Sequence, residues 1–188
     1  DSEDSPGSGL TRVRVFNTAT DAGTLDVYLT DSDTALTDAT PIASSVAGAS
    51  LSAYKNVDSG SWRLRVTGED DATDVRLDLS SLALAGNKVV TVVLTPGSGG
   101  VLVNAIVLVQ GGSATAYDNP SARVRLVAGS TGNATHSAVV AGTTLTTGTL
   151  SPAVGAYVLV NAGSAQGLDL QVNGSRLSTT TVSLSAGG

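Results

Sequence analysis

The chain has 188 residues and a formal net charge of −6, with 22 glycines, no cysteine, no methionine and only 3% aromatic residues. The missing cysteine excludes a disulfide framework, a thiolate metal site and a thiol nucleophile. No run of about 18 apolar residues exists, so no segment reads as a membrane-spanning helix, and the length admits one large domain or two small ones.

The first ten residues, DSEDSPGSGL, are acidic and rich in Gly, Ser and Pro. They read as a flexible tether, residues 1–10. With no alternating apolar side chains, Asp1–Gly9 is a poor donor strand. Next, Arg12 and Arg14 alternate with Val13 and Val15, the period of a half-buried strand. Residues 11–110 read as about seven strands, at 11–17, 24–30, 50–57, 61–67, 74–84, 88–95 and 101–110. These are short Val- and Thr-rich runs with turn residues between them and no helical period. That pattern predicts an all-β chain with immunoglobulin-like antiparallel β-sandwich architecture. Residues 111–121 cluster Gly, Ser, Asn and Pro and read as a linker.

Residues 122–188 echo what precedes them. Arg123-Val-Arg125 answers Arg12-Val-Arg14, Tyr157–Val160 answers Tyr54–Val57, and Leu168–Val172 answers Trp62–Val66. Gly60 and Gly163 stand in matching turns. Both stretches then give a polar turn, a further strand and an Ala-Gly pair, Ala85-Gly86 and Ala186-Gly187. The expectation is therefore two tandem sandwiches, 11–110 and 122–188. The second holds about five strands and lacks counterparts of Lys88–Thr95 and Val101–Gln110. Those are the most apolar strands of the first copy. A sandwich without them exposes core and an unpaired edge. Either the second copy has diverged or is cut short, or another chain fills the gap.

Charge differs between the halves. Residues 1–120 hold 7 basic and 15 acidic side chains, net −8, whereas residues 121–188 hold 3 basic and 1 acidic, net +2. There is no basic patch, so nucleic acid is not expected as a partner. A nearly uncharged second half is unusual for a freely soluble domain.

The stretch T-R-V-R-V-F-N-T-A-T-D-A-G-T-L-D-V-Y, Thr11–Tyr28, resembles the bacterial exported repeat known as domain of unknown function 4397. Repeats of that family open with A-R-V-R-V-V-H-A-S-P-D-A-P and continue to V-D-V-Y. Arg12, Arg14, Asp21, Ala22 and the Asp26-Val27-Tyr28 ending match it. Asn17 stands where the family often has His, and Gly23 where it often has Pro. Arg123 and Arg125 match again in the second copy, but Gly132 replaces the Asp and no Asp-Val-Tyr follows. The resemblance implies tandem β-sandwiches outside the cytoplasm, often tethered to the envelope. It defines no catalytic residue. No signal peptide is present, so an exported form would be the mature one.

Candidate chemistry is sparse. His136 is the one histidine and Asp169 the one acid of the second half, with no G-x-S-x-G motif, so no Ser-His-Asp triad is expected. Asp31, Asp33 and Asp38, and Glu69, Asp70, Asp71 and Asp74, form acidic clusters in turns. They are weak Ca²⁺ candidates and read first as solvated turns; no metal or other cofactor is expected. Trp62 alternates with Leu64 and Val66, which puts it in the core rather than on a sugar-stacking surface. Asn133 and Asn173 begin glycosylation-type triplets of low specificity.

These readings lead to a non-enzymatic extracellular or cell-surface protein, a homo-oligomer or homopolymer subunit of a filament. The alternative is an envelope-anchored monomer that binds a surface polysaccharide. The assembly edge is expected beside Thr181, Val182, Ser183, Leu184 and Ser185. A neighbour's first domain is the expected donor.

Overall fold

The structure, a computed structural model, describes residues 2–188, with the side chains of residues 178 and 179 outside that description; Asp1, at the head of the expected tether, also lies outside it. The chain is all-β, 60% strand and 3% helix, and no described helix is long and apolar enough to cross a membrane. It divides into two compact units, Asp1–Pro120 with Gly187 and Ser121–Ala186 with Gly188.

The first unit runs β1 (Leu10–Asn17), β2 (Leu25–Thr30), β3 (Ala43–Val46), β4 (Ser50–Leu51), β5 (Lys55–Asp58), β6 (Gly60–Gly68), β7 (Asp71–Leu84), β8 (Lys88–Pro96), β9 (Val103–Val109) and β10 (Ala114–Tyr117). One sheet has the order β10-β9-β8-β1-β4, with β5 also on β1, and the other β3-β2-β6-β7. The two sheets share one core. Val13, Val15, Val90, Val92, Leu94 and Val103 meet Leu25, Val27, Leu64, Val66, Leu77 and Leu82, all at most 2% exposed. Each such side chain contributes about 1.5–3 kcal/mol through burial.

Four features differ from the expectation. The pairing is not wholly antiparallel: β8 runs parallel to β1, Thr11 level with Lys88 and Asn17 with Leu94. Between them the chain crosses to the other sheet for β6 and β7 and re-enters in β1's own direction. The strand expected over 50–57 is broken, because the Val15 N–H is taken by the Ser52 hydroxyl at 2.9 Å between β4 and β5. Residues 111–121 are not all linker. β10 pairs with β9, Tyr117 opposite Ala105, and the buried Asn119 amide donates to the carbonyls of Arg76 (2.7 Å) and Val103 (2.9 Å). The turn-forming letters hide an edge strand whose partner is already in place. Glu3 also departs from a free tether, since it pairs with Arg12 at 3.1 Å and its N–H donates to the Gln110 side chain.

Two family-motif positions act as buried struts. The Asp26 carboxylate, 3% exposed, accepts the N–H groups of Ser45 (2.7 Å) and Asp70 (3.0 Å). Both donors sit at positive φ, 52° and 55°, so Asp26 holds two otherwise disfavoured backbone conformations, one in β3 and one in the turn after β6. Asn17 donates to the carbonyls of Gly23 and Val46 and accepts from the Ala19 N–H.

The second unit runs β11 (Ser121–Val124), β12 (Val127–Ala128), β13 (Thr135–Val140), β14 (Thr143–Leu150), β15 (Ala153–Val154), β16 (Val158–Asn161), β17 (Gly163–Val172) and β18 (Ser175–Leu184). One sheet has the order β14-β13-β17-β18; β11-β16 and β12-β15 are separate two-stranded ladders.

Candidate functional site

The two units keep the same registers at matching places. Thr11 opposes Val57 in β1-β5, and Ala122 opposes Val160 in β11-β16. Gly60 opposes Leu84 in β6-β7, and Gly163 opposes Leu184 in β17-β18. Gly60 and Gly163 have φ of 154° and 153°, a conformation that side chains rarely adopt. Arg14 stacks on Tyr54 at 4.6 Å, while Arg123 (4.8 Å) and Arg125 (4.6 Å) both stack on Tyr157.

The units part where β8 should stand. In the first, β1 lies between β5 and β8. In the second, β11 has β16 on one side and no strand on the other among the described residues. The consequence for packing is direct. Leu64, Leu82 and Leu84 are at most 3% exposed. Leu170, Val182 and Leu184, at the matching positions, are only half-buried. They line an apolar groove of about 250 Å³ with Val124, Leu126, Ala138, Val140, Leu145 and Leu168, and Arg125 on its rim. The buried core cluster of this unit is confined to Ala122, Val140 and Val160.

Among the residues expected at the assembly edge, Val182 and Leu184 face into the groove, and Thr181, Ser183 and Ser185 are exposed. Their strand, β18, is a sheet edge, but so is β7 in the first unit. The ladder that distinguishes the units is on β11. Sequence reasoning overlooked it because missing strands were counted along the chain, whereas β8 belongs spatially beside the opening strand.

His136 opposes Val172 in β13-β17, as Val27 opposes Val66 in β2-β6. It therefore occupies a core position that Val27 fills with no exposure. Its Nε2 lies 3.1 Å from the Ser130 hydroxyl, and its Nδ1 is buried without a hydrogen-bond partner. Asp169 is level with Val139, an odd number of residues along the strand, and so on the opposite face of the sheet. Arg176 engages Asp169, Nε to Oδ1 at 3.0 Å, and holds its carboxyl below the usual carboxylate range. Ser130 and His136 thus touch, but Asp169 does not orient the imidazole.

The acidic clusters are not gathered into a site: no three His or acidic side chains converge among the described residues. Asp74 pairs with Arg76, and Asp71 accepts the hydroxyl and N–H of Thr73, which lowers its pKa. Asp31, Asp33, Asp38, Glu69 and Asp70 are exposed. Trp62 packs against the first core while its Nε1 donates to the Asp58 carbonyl at 2.9 Å. Asn173, at φ 51° in the β17-β18 turn, accepts the Thr135 N–H at 2.9 Å.

A family model described as Domain of unknown function (DUF4397) matches residues 11–134. The chain belongs to the DUF4397 family. The match covers β1 through β12 and therefore includes the strut residues Asn17 and Asp26 and the paired arginines of both units. No curated protein matches the chain.

Proposed function

We propose that this DUF4397 protein is a non-enzymatic structural subunit of an extracellular bacterial filament, built head to tail by strand addition. On this reading the chain holds tandem immunoglobulin-like sandwiches, and a neighbouring copy adds a strand at an open sheet edge such as β18. The observation that carries it is the apolar groove lined by Leu170, Val182 and Leu184 at the edge strand β18 and its neighbour β17. Uncovered apolar surface of this kind marks interaction sites, and an unpaired strand edge templates another strand.

Charge supports a second copy as the occupant. The acceptor half is net +2 and the first 120 residues net −8, so unlike ends attract and like ends repel. A contact between two different surfaces that does not close into a ring builds an open fibre. On the donor side, β10 is the exposed edge of the first unit's larger sheet. The interface should bury well over ~1,000 Å², the floor for a specific contact. The isolated Ser130–His136 pair, without an orienting carboxylate, supports the non-enzymatic reading.

Electron microscopy and sedimentation velocity of the chain test the proposal. Fibres, or oligomers that grow with concentration, are expected. A folded monomer at high concentration would sink the reading.

A further inference from the structure

Strand addition needs a sheet edge that admits another strand, and the two units differ in how their edges are kept from doing so. Resting on the strand-addition reading above, we infer that the acceptor is the stretch Thr180–Leu184 of β18 and that its partner is β10 of a second copy of this chain.

The acceptor follows from a comparison of matching edges. β7 and β18 are edge strands of corresponding sheets, Leu84 opposite Gly60 and Leu184 opposite Gly163. β7 carries Asp71, Asp74, Arg76 and Asp78. Its pairing with β6 shifts register three times, each time with the surplus residues on β7. Charges and bulges are what keep a sheet edge from templating another strand. β18 lacks both over its second half. Its one charged residue, Arg176, is engaged by Asp169. Its own bulge lies near the start, where Leu170 and Gln171 face Ser178 and Arg176. Beyond it, Thr180-Thr-Val-Ser-Leu184 holds no charge, glycine or proline and leaves its outward backbone groups without a strand. The opposite edge of the same sheet, β14, is bulged twice and passes through Gly148 at φ 64°. β16 is an uncharged edge of only 4 residues. The free side of β11 is set aside, because there the Gly188 carbonyl already accepts the Arg123 N–H at 2.8 Å.

The partner follows from the edges of the first unit. β3 pairs irregularly with β2 and holds Ser45 at φ 52°. β4 has 2 residues, and β5 carries Lys55 and Asp58. β10 has no charged residue and no positive φ, and its register runs unbroken from Ala114 opposite Leu108 to Tyr117 opposite Ala105. Ala114, Thr115 and Ala116 are exposed. Charge selects β10 over a second β18. Two copies of β18 would bring net +2 halves together, whereas β10 brings a net −8 half to a net +2 half. Because donor and acceptor are different surfaces of one chain, the contact repeats from copy to copy.

One lysine on the inward face of each edge strand tests the pairing, since an inward-pointing charge blocks strand addition. Thr180 is exposed and shares a face of β18 with Val182; Thr115 is exposed and shares a face of β10 with Tyr117. Thr180→Lys alone and Thr115→Lys alone should each lose fibres and sediment as monomers. Mixed in equal amounts, they should form dimers and nothing longer, because the intact β10 of one chain meets the intact β18 of the other. Hydrogen exchange on the wild-type chain reads the same contact without a substitution. Assembly should slow the amides of residues 114–117 and 180–184 at least tenfold and leave those of β3 and β14 unchanged. Where circular dichroism of a variant departs from wild type, the exchange measurement decides. Fibres from either variant alone, a mixture that stays monomeric, or protection confined to other strands overturns the inference and, with wild-type fibres present, leaves the filament reading intact. A wild-type chain that stays monomeric overturns both.

Discussion

Asp26 and Ser45 are joined by a 2.7 Å hydrogen bond from the Ser45 N–H to a carboxylate oxygen buried to 3% exposure. The other oxygen takes the Asp70 N–H, so one side chain fixes a positive-φ residue in the irregular strand β3 and the turn between β6 and β7. Asp26→Ala removes the acceptor of two part-buried N–H groups and should cost about 1–3 kcal/mol. Asp26→Asn keeps one acceptor and should cost about half as much. Urea denaturation of the two variants gives the comparison, and equal losses would contradict the strut role.

His136 sits where Val27 sits in the first unit, with Nδ1 buried and unpaired. His136→Val should therefore stabilise the second unit by about 1 kcal/mol, because an apolar group replaces an unsatisfied polar one. Assembly should be unchanged. Loss of assembly in this variant would give the imidazole a role that the proposed function does not contain.

Val182 faces the groove, and its neighbour Ser183 is exposed on the other side of the same strand. Val182→Asp should abolish assembly by placing a charge against the incoming strand. Ser183→Asp should leave it intact. Sedimentation velocity reads both, and a reversed outcome would move the interface to the outer face of β18.

Gly163 has φ of 153° and Gly60 of 154°. An alanine at either should cost about 1–3 kcal/mol in backbone strain. The loss should appear in whichever unit carries the change, which differential scanning calorimetry with two transitions would resolve.

Two carboxyls are held below their ordinary range, Asp71 by the Thr73 hydroxyl and Asp169 by Arg176. A depressed carboxyl stabilises the fold above the unfolded-state value of about 3.9, and that contribution disappears as pH falls through the folded-state value. Thermal stability should be flat from about pH 7 to 5 and decline below about 4. Asp71 is exposed and Asp169 only half-buried beside an exposed Arg176, so salt should blunt the decline. In Asp169→Asn the part due to Arg176 should be missing. A loss of stability near pH 6 would point to a different group.

The alternation of Arg12, Val13, Arg14 and Val15, and of Leu64 and Val66 beyond Trp62, made the strands and the inward faces legible from sequence, because period two is a local property of a pleated chain. The echo of Arg12–Arg14 in Arg123–Arg125 was legible for the same local reason. β3 and β10 escaped notice, being short and built of Ala, Ser and Thr, residues whose strand state is set by a partner rather than by propensity.

Pairing is a long-range matter, and there the tertiary structure decided. The sequence alone determined the all-β class and the resemblance to the DUF4397 family. It placed an assembly edge beside Thr181–Ser185, because order along the chain was its only guide. In space, β8 lies parallel to β1, more than 70 residues earlier in the chain. In the second unit Leu170, Val182 and Leu184 are half-buried, whereas Leu64, Leu82 and Leu84 of the first are at most 3% exposed. Likewise, a lone histidine near a lone aspartate remained a formal possibility in the sequence. An odd separation along paired strands put them on opposite faces, a geometry that only the register of β13 against β17 supplies.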